Sequence, residues 1–153
     1  MLKNLDPLLN PNLLYILRAM GHGEVLTIVD SNFPADSVAS TTVHGEVIRL
    51  DGAGIPEVAK AIFSVFPLDS FIEAPIQYME VVGEPETKLE VHTDFHRIAL
   101  ENSDREWKMD SVERYRFYEL SGKTYAVIAT AEHRPYGCFM ITKGVIAPDG
   151  NIM

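Results

Sequence analysis

Cys138 is the only cysteine in the chain, so no disulfide can form within it and no multi-cysteine zinc or iron–sulfur site is available. A reducing, cytoplasmic setting is the simplest expectation. Basic residues are also scarce, 13 Lys and Arg against 22 Asp and Glu, for a formal net charge of -9. That balance argues against a nucleic acid or an anionic membrane as partner, because both are held by clustered Lys and Arg. A neutral or cationic small molecule, or another protein, stays open. Long apolar runs are missing too: Asp6, Pro7, Asn10 and Pro11 interrupt the N-terminal leucines, so neither a signal-peptide core nor a membrane span is expected. There is no G-x-G-x-x-G after a strand, no P-loop and no serine in a nucleophile elbow, and a nucleotide cofactor is therefore not expected. No repeat or low-complexity segment is visible.

What is present fits one domain over residues 1–153, long enough to bury roughly two-thirds of its unfolded surface. Asn10-Pro11-Asn12 reads as a capped helix start, with Leu13, Leu14, Leu17 and Met20 on one face and Gly21 at its end. The run 25–29 reads as a buried strand, and Phe33-Pro34 stops regular structure. Residues 35–45 are small and polar and read as a surface segment. Residues 47–50 form a short strand, Asp51-Gly52-Ala53-Gly54 the turn after it, and Pro56 opens a helix with Val58, Ile62, Val65 and Phe66 on its face.

A third strand is predicted over 76–82 and a helix over 88–100. Ser111 is placed as the cap of a short helix reaching Leu120, although the aromatic run 115–120 leaves a strand open. The last two strands, 124–130 and 139–142, are expected to form a hairpin across the loop 131–137. Parallel crossovers followed by a hairpin predict a three-layer α/β/α domain with a mixed sheet.

Met20-Gly21-His22-Gly23-Glu24 places a histidine between two glycines, directly before a strand that delivers Asp30 at its carboxyl end, where ligands collect in open α/β sheets. The same residues also read as a helix C-terminus with a glycine cap, and Asp30 as an Asx-turn. His92 and His96, four apart, share a helix face, but the glutamate of H-E-x-x-H is missing, and a solvated histidine pair is the preferred reading over a metal site. The loop Glu132-His133-Arg134-Pro135-Tyr136-Gly137-Cys138 is rich in reactive groups. His133 and Arg134 are expected to face solvent or a neighbouring subunit. Histidine, aspartate, arginine and tyrosine on loops around a buried sheet suit general acid/base work on a neutral polyol.

The motifs Met20-Gly21-His22-Gly23-Glu24, Asp30-Ser31-Asn32-Phe33-Pro34-Ala35, Tyr136-Gly137 and Lys143-Gly144-Val145, in this order, resemble the signatures of the RbsD/FucU sugar mutarotase family. Asp51-Gly52, Pro67-Leu68-Asp69 and Glu113-Arg114-Tyr115-Arg116-Phe117-Tyr118-Glu119 extend the likeness through nearly the whole chain. The last of these is similar to the L-fucose branch rather than the ribose branch. The resemblance implies a cofactor-free isomerase that interconverts the α and β anomers of L-fucose. It also implies a ring-shaped homo-oligomer, commonly a decamer built from pentameric rings, with sites between adjacent subunits.

By the same resemblance His22 is the catalytic histidine and Asp30 the sugar-binding aspartate. Arg114 and Tyr136 match sugar-contacting positions, and Tyr118 and Asp69 match further positions of the fucose branch. His22 is expected to move one proton, and Tyr136, Tyr118 or a water the other. Where the family commonly has Tyr-x-Asn, this chain has Tyr136-Gly137-Cys138, so Cys138 replaces an amide with a weak donor and acceptor, leaving binding there to the backbone of Gly137 and Cys138 or to a different hydroxyl. Without the resemblance, Arg114 reads as a solvated helix residue, Tyr136 as a packed aromatic and Cys138 as a small hydrophobe. A D-ribose pyranase, a non-catalytic sugar-binding or transport-accessory protein, and a metal or redox protein are the competing functions. Anomer-exchange assays, binding without exchange, and bound metal would distinguish them.

Overall fold

The most apolar stretches form the centre of the molecule. In the computed structural model, which describes residues 2–153, Val25–Val29 (β1) and Ala126–Thr130 (β5) pair in parallel as neighbouring central strands. Val47–Leu50 (β2) lies parallel outside β5. On the other side of β1 come Phe139–Thr142 (β6), Ile76–Met79 (β3) and Met109–Val112 (β4), so the sheet order is β2-β5-β1-β6-β3-β4. β6 is antiparallel to both β1 and β3, whereas β3 and β4 run parallel. Strands β1 to β5 therefore all point one way, and β6 alone returns against them.

Period-two alternation sends successive side chains to opposite faces. Leu26, Ile28, Ala126, Ile128, Phe139 and Ile141 enter a core beneath Pro11–Ala19 (α1), Ile55–Phe63 (α3) and Glu90–Glu101 (α4). Val29, Val127, Ala129 and Met140 enter a smaller core beneath Ala35–Ala39 (α2) and Arg114–Ser121 (α5). The result is the expected α/β/α sandwich with a mixed sheet. Phe139 anchors the larger core by stacking on Phe95 of α4, with ring centroids 3.9 Å apart and planes within 6°; removing a buried phenyl of this kind costs about 3–5 kcal/mol. The Asn10 side chain accepts from the Leu13 N–H at 3.0 Å, the capping role expected of it, with Pro11 in the first turn.

Five readings are changed or refined. β5 and β6 do not form a hairpin, because β1 lies between them, and the loop 131–137 must cross the carboxyl end of β1. Residues 35–39 of the surface segment form a short helix, α2, which buries Ala35 and Ala39 and leaves Asp36 and Ser37 exposed. Ser111 belongs to the edge strand β4, whose two middle residues are exposed and so leave no clear alternation; the cap of α5 is Glu113, which accepts from the Arg116 N–H at 3.0 Å. His92 is fully buried, not solvated, and Arg134 is ion-paired inside the molecule, not turned outward.

Candidate active site

Because five strands share one direction, the loops after β1, β3, β4 and β5 and the loop before β6 converge at one end of the sheet. A cavity of about 230 Å³ opens there, lined by Asp30, Phe33, Met79, Arg114, Tyr118 and Tyr136, with Cys138 also on its wall. That is smaller than the ~300–1,000 Å³ clefts that take drug-sized ligands, and it suits a single small ring.

Asp30 is buried yet fully held. Its Oδ1 accepts the Asn32 N–H at 2.8 Å, and its Oδ2 accepts the Gly137 N–H at 3.1 Å and the Cys138 thiol at 3.4 Å. Gly137 is glycine for a steric reason, since an added Cβ would come within 3.1 Å of Glu132 Cγ and 3.4 Å of Asp30 Cβ. The crossing of the 131–137 loop over β1 is thus what brings Tyr136, Gly137 and Cys138 to Asp30. Burial pushes the Cys138 thiol well above its usual range, with the Asp30 carboxylate adding to the effect. Burial likewise raises the Tyr118 hydroxyl, against the opposing pull of the Arg114 guanidinium. Both groups therefore stay protonated near neutral pH.

Arg114 opens α5. Its guanidinium lies 4.7 Å from the Tyr115 ring centroid and donates to the Tyr115 hydroxyl at 2.8 Å. Its Nε–H is buried without a partner, the one such side-chain atom among the described residues. An unsatisfied buried donor costs about 1–3 kcal/mol, and the same side chain lines the cavity, where its positive charge faces an incoming acceptor.

His22 lies elsewhere. It precedes β1 at the opposite end of the sheet, half-exposed, with Nε2 3.3 Å from Asp69 Oδ1 and the Phe71 ring edge-on at 5.5 Å. Asp69 is buried and also accepts the Phe71 N–H at 3.0 Å. Gly23, with φ +80, makes the turn that the motif predicts; Gly21 donates to Glu24 Oε2 at 2.6 Å. Lys143 spans from β6 to cap α1, donating from Nζ to Leu17 O at 2.6 Å and Met20 O at 2.5 Å. Within one chain, then, the structure joins Asp30, Arg114, Tyr118, Tyr136, Gly137 and Cys138, and separately joins His22 with Asp69.

Sequence reasoning misses the floor and the supports of the cavity. Met79 lies inside the predicted strand 76–82 and Phe33 beside the proline that stops regular structure, and nothing local marks either side chain as cavity lining. Glu132, buried beside Gly54 and Gly137, accepts the Ile55 N–H at the start of α3 and holds Arg134 through two side-chain bonds of 3.0 and 2.9 Å. Those bonds to Arg134, with two backbone N–H groups, hold its carboxyl down at about 2 against the penalty of burial. Arg134 also reaches Asp94 Oδ2 of α4 at 2.9 Å. The only advance signal was the density of reactive groups in the loop.

Among the described residues no group of three His, Cys, Asp or Glu side chains is arranged to hold a metal ion. Both ring nitrogens of His92 and Nε2 of His96 are engaged by the protein. No helix of the described residues is long and apolar enough to cross a membrane.

Residues 3–146 match the RbsD / FucU transport protein family. The chain belongs to that family. Among relatives in the RbsD/FucU family, the fucose mutarotase of Danio rerio is 41% identical over 150 residues, covering 97% of this chain and 96% of its own. The human fucose mutarotase is 39% identical over 149 residues, covering 95% of each. The crystal structure of the fucose mutarotase of Streptococcus pneumoniae in complex with L-fucose superposes with a TM-score of 0.85 at 32% identity, covering 95% of this chain and 100% of that one.

Proposed function

We propose that this protein is an L-fucose mutarotase, an isomerase that interconverts the α and β anomers by ring opening and reclosure. The observation that carries the proposal is a buried carboxylate, Asp30, in the same small cavity as the guanidinium side chain of Arg114. A polyol hydroxyl serves both, donating to the carboxylate and accepting from the guanidinium. Phe33 and Met79 give the same cavity an apolar side for the C–H face of the sugar.

Ring opening takes the proton from the anomeric hydroxyl, forms the C1 carbonyl, breaks the C1–O5 bond and delivers a proton to O5. Reclosure reverses these steps on the other face of C1. Tyr118 and Tyr136 supply hydroxyls in the cavity, and Tyr118, kept protonated by burial, suits the donor role toward O5. His22 supplies the second proton-transfer group, because an imidazole offers one ring nitrogen as acceptor and the other as donor. Asp69 orients it through Nε2, leaving Nδ1 for the substrate.

Roughly 16 Å of strand separates His22 from Asp30 within one chain, so His22 reaches the cavity from an adjacent copy. Exposed apolar groups flank both half-sites: Phe71 and Ile72 beside His22, Tyr115 and Val82 beside the cavity. Such surfaces are suited to burial against another subunit. A ring assembly, in this reading a decamer of two pentameric rings in the cytoplasm, meets the requirement by repeating one contact around an axis. Light scattering gives the subunit count.

The test is saturation-difference NMR of L-fucose, with D-ribose and D-galactose alongside. Accelerated L-fucose exchange that His22→Ala abolishes, with unchanged circular dichroism, is expected. Undiminished exchange in that variant, or exchange only with ribose, overturns the proposal.

A further inference from the structure

We propose that His92, a buried residue outside the cavity, is the positioning residue for Tyr136, fixing the height and angle at which that side chain meets the sugar. The inference rests on the reading of Tyr136 as a sugar contact, and its test separates the two.

Tyr136 has φ +62, a left-handed conformation that residues with a side chain rarely adopt, so its surroundings must impose it. Neighbouring holds act on other residues of the loop: the Gly137 N–H is bound by Asp30, and Arg134 by Glu132 and Asp94. On Tyr136 itself the backbone hold is the imidazole of His92, whose Nε2 lies 2.9 Å from the Tyr136 carbonyl oxygen. The phenol hydroxyl, at the other end, accepts the Val82 N–H at 3.4 Å.

The partners of the ring settle its proton. A carbonyl only accepts, so Nε2 carries hydrogen. Nδ1 lies 3.2 Å from the Leu89 N–H, which only donates, so Nδ1 is bare. The ring is thus neutral, in one tautomer. It stands at the third position of α4, where it takes the part of the glutamate in a capping box, while its own N–H donates to Leu89 O at 3.0 Å. Tyr78, at 4.4 Å between centroids, and Phe139, edge-on at 5.9 Å, prevent it from turning. Burial lowers its pKa, which keeps it neutral in support of this geometry. Helix α4 therefore grips the loop at two points two residues apart, through His92 on Tyr136 and Asp94 on Arg134.

Two substitutions separate the two nitrogens. His92→Gln carries an amide N–H to the place of Nε2 and gives up the Leu89 cap; His92→Asn keeps an acceptor at the place of Nδ1 and cannot reach Tyr136. Both lose the ring's packing, so both lower Tm. In sugar-free protein, His92→Asn is expected to displace the Gly137 and Cys138 amide resonances, and His92→Gln to return them toward wild type. For L-fucose, His92→Asn should weaken exchange about tenfold or more, and His92→Gln should restore it to within about threefold of wild type. Long-range nitrogen-15 spectra should show a bare Nδ1 and a protonated Nε2.

Exchange that falls in both variants in proportion to Tm, unmoved Gly137 and Cys138 amides in His92→Asn, or the opposite tautomer overturns the proposal. If the wild type exchanges no L-fucose, the reading of the site fails, and the amide shifts and the tautomer still decide the role of His92.

Discussion

His22 and Asp30 stand at opposite ends of the same five-residue strand, the first bonded to Asp69 and the second to Gly137. No side-chain rotation brings them together, so a site using both takes one from each of two copies. A subunit-mixing experiment follows. His22→Ala and Arg114→Ala should each lower L-fucose exchange by about 10²-fold or more. Dissociated and reassembled together in equal amounts, they should recover about one quarter of wild-type exchange, since one contact in four pairs an intact His22 with an intact cavity. A site contained in one chain would recover nothing.

Cys138 sits against the Asp30 carboxylate with 2% of its surface exposed, and burial raises its thiol well above the usual range. The thiolate is the reactive form. Native protein at pH 8 should therefore react with a disulfide reagent about a hundredfold more slowly than free cysteine, and one thiol should titrate once guanidinium unfolds the chain. Rapid labelling of the folded protein would show that the inner wall of the cavity opens to solvent.

Much of this arrangement was legible in the sequence where a local rule decides it. Asn10 and Pro11 start α1, apolar runs mark β1 and β5, and Gly23 makes the turn after His22, because capping, burial and positive φ each leave a residue signature. The position of β6 was not legible: a strand following another after a short loop suggests a hairpin, and only pairing energy summed over the sheet decides that β1 comes between them. β4 escaped because an edge strand with two exposed residues carries almost no alternation. The family's motifs named the groups around the cavity, but Glu132 and His92 act through backbone atoms distant in sequence, a role that residue type does not reveal.

Glu132 predicts an acid-sensitive brace on the same loop. Its carboxyl sits at about 2 in the folded protein, against 4.5 ordinarily. A carboxyl depressed on folding contributes stability that is complete above the ordinary value and is lost as pH falls through it toward the folded value. Glu132→Gln should cost about 2 kcal/mol at pH 7, a figure discounted for the partly solvated Arg134. The gap to wild type should then shrink steadily between pH 5 and about 2.5, as read by urea unfolding. A gap independent of pH in that window would show that Glu132 acts through packing alone.

Gly144 controls the other half of the site. A Cβ there would lie 2.3 Å from Leu68 O and 2.9 Å from Asp69 Cα, both backbone atoms that cannot swing aside. The same crossing is tied by the Gly144 N–H to Pro67 O at 2.8 Å and the Asp69 N–H to Thr142 O at 3.1 Å. Gly144→Ala must push the 67–69 segment away from β6, carrying with it the carboxylate that orients His22. It should destabilise the fold by about 3 kcal/mol or more and weaken L-fucose exchange even in molecules that remain folded. Gly150→Ala, with φ +87 but nothing within 4 Å of the added Cβ, supplies the comparison and should cost only about 1 kcal/mol, with exchange unchanged. Equal losses of stability in the two variants would mean that the close approach at Leu68 relaxes at little cost, and that the position of Asp69 is set elsewhere.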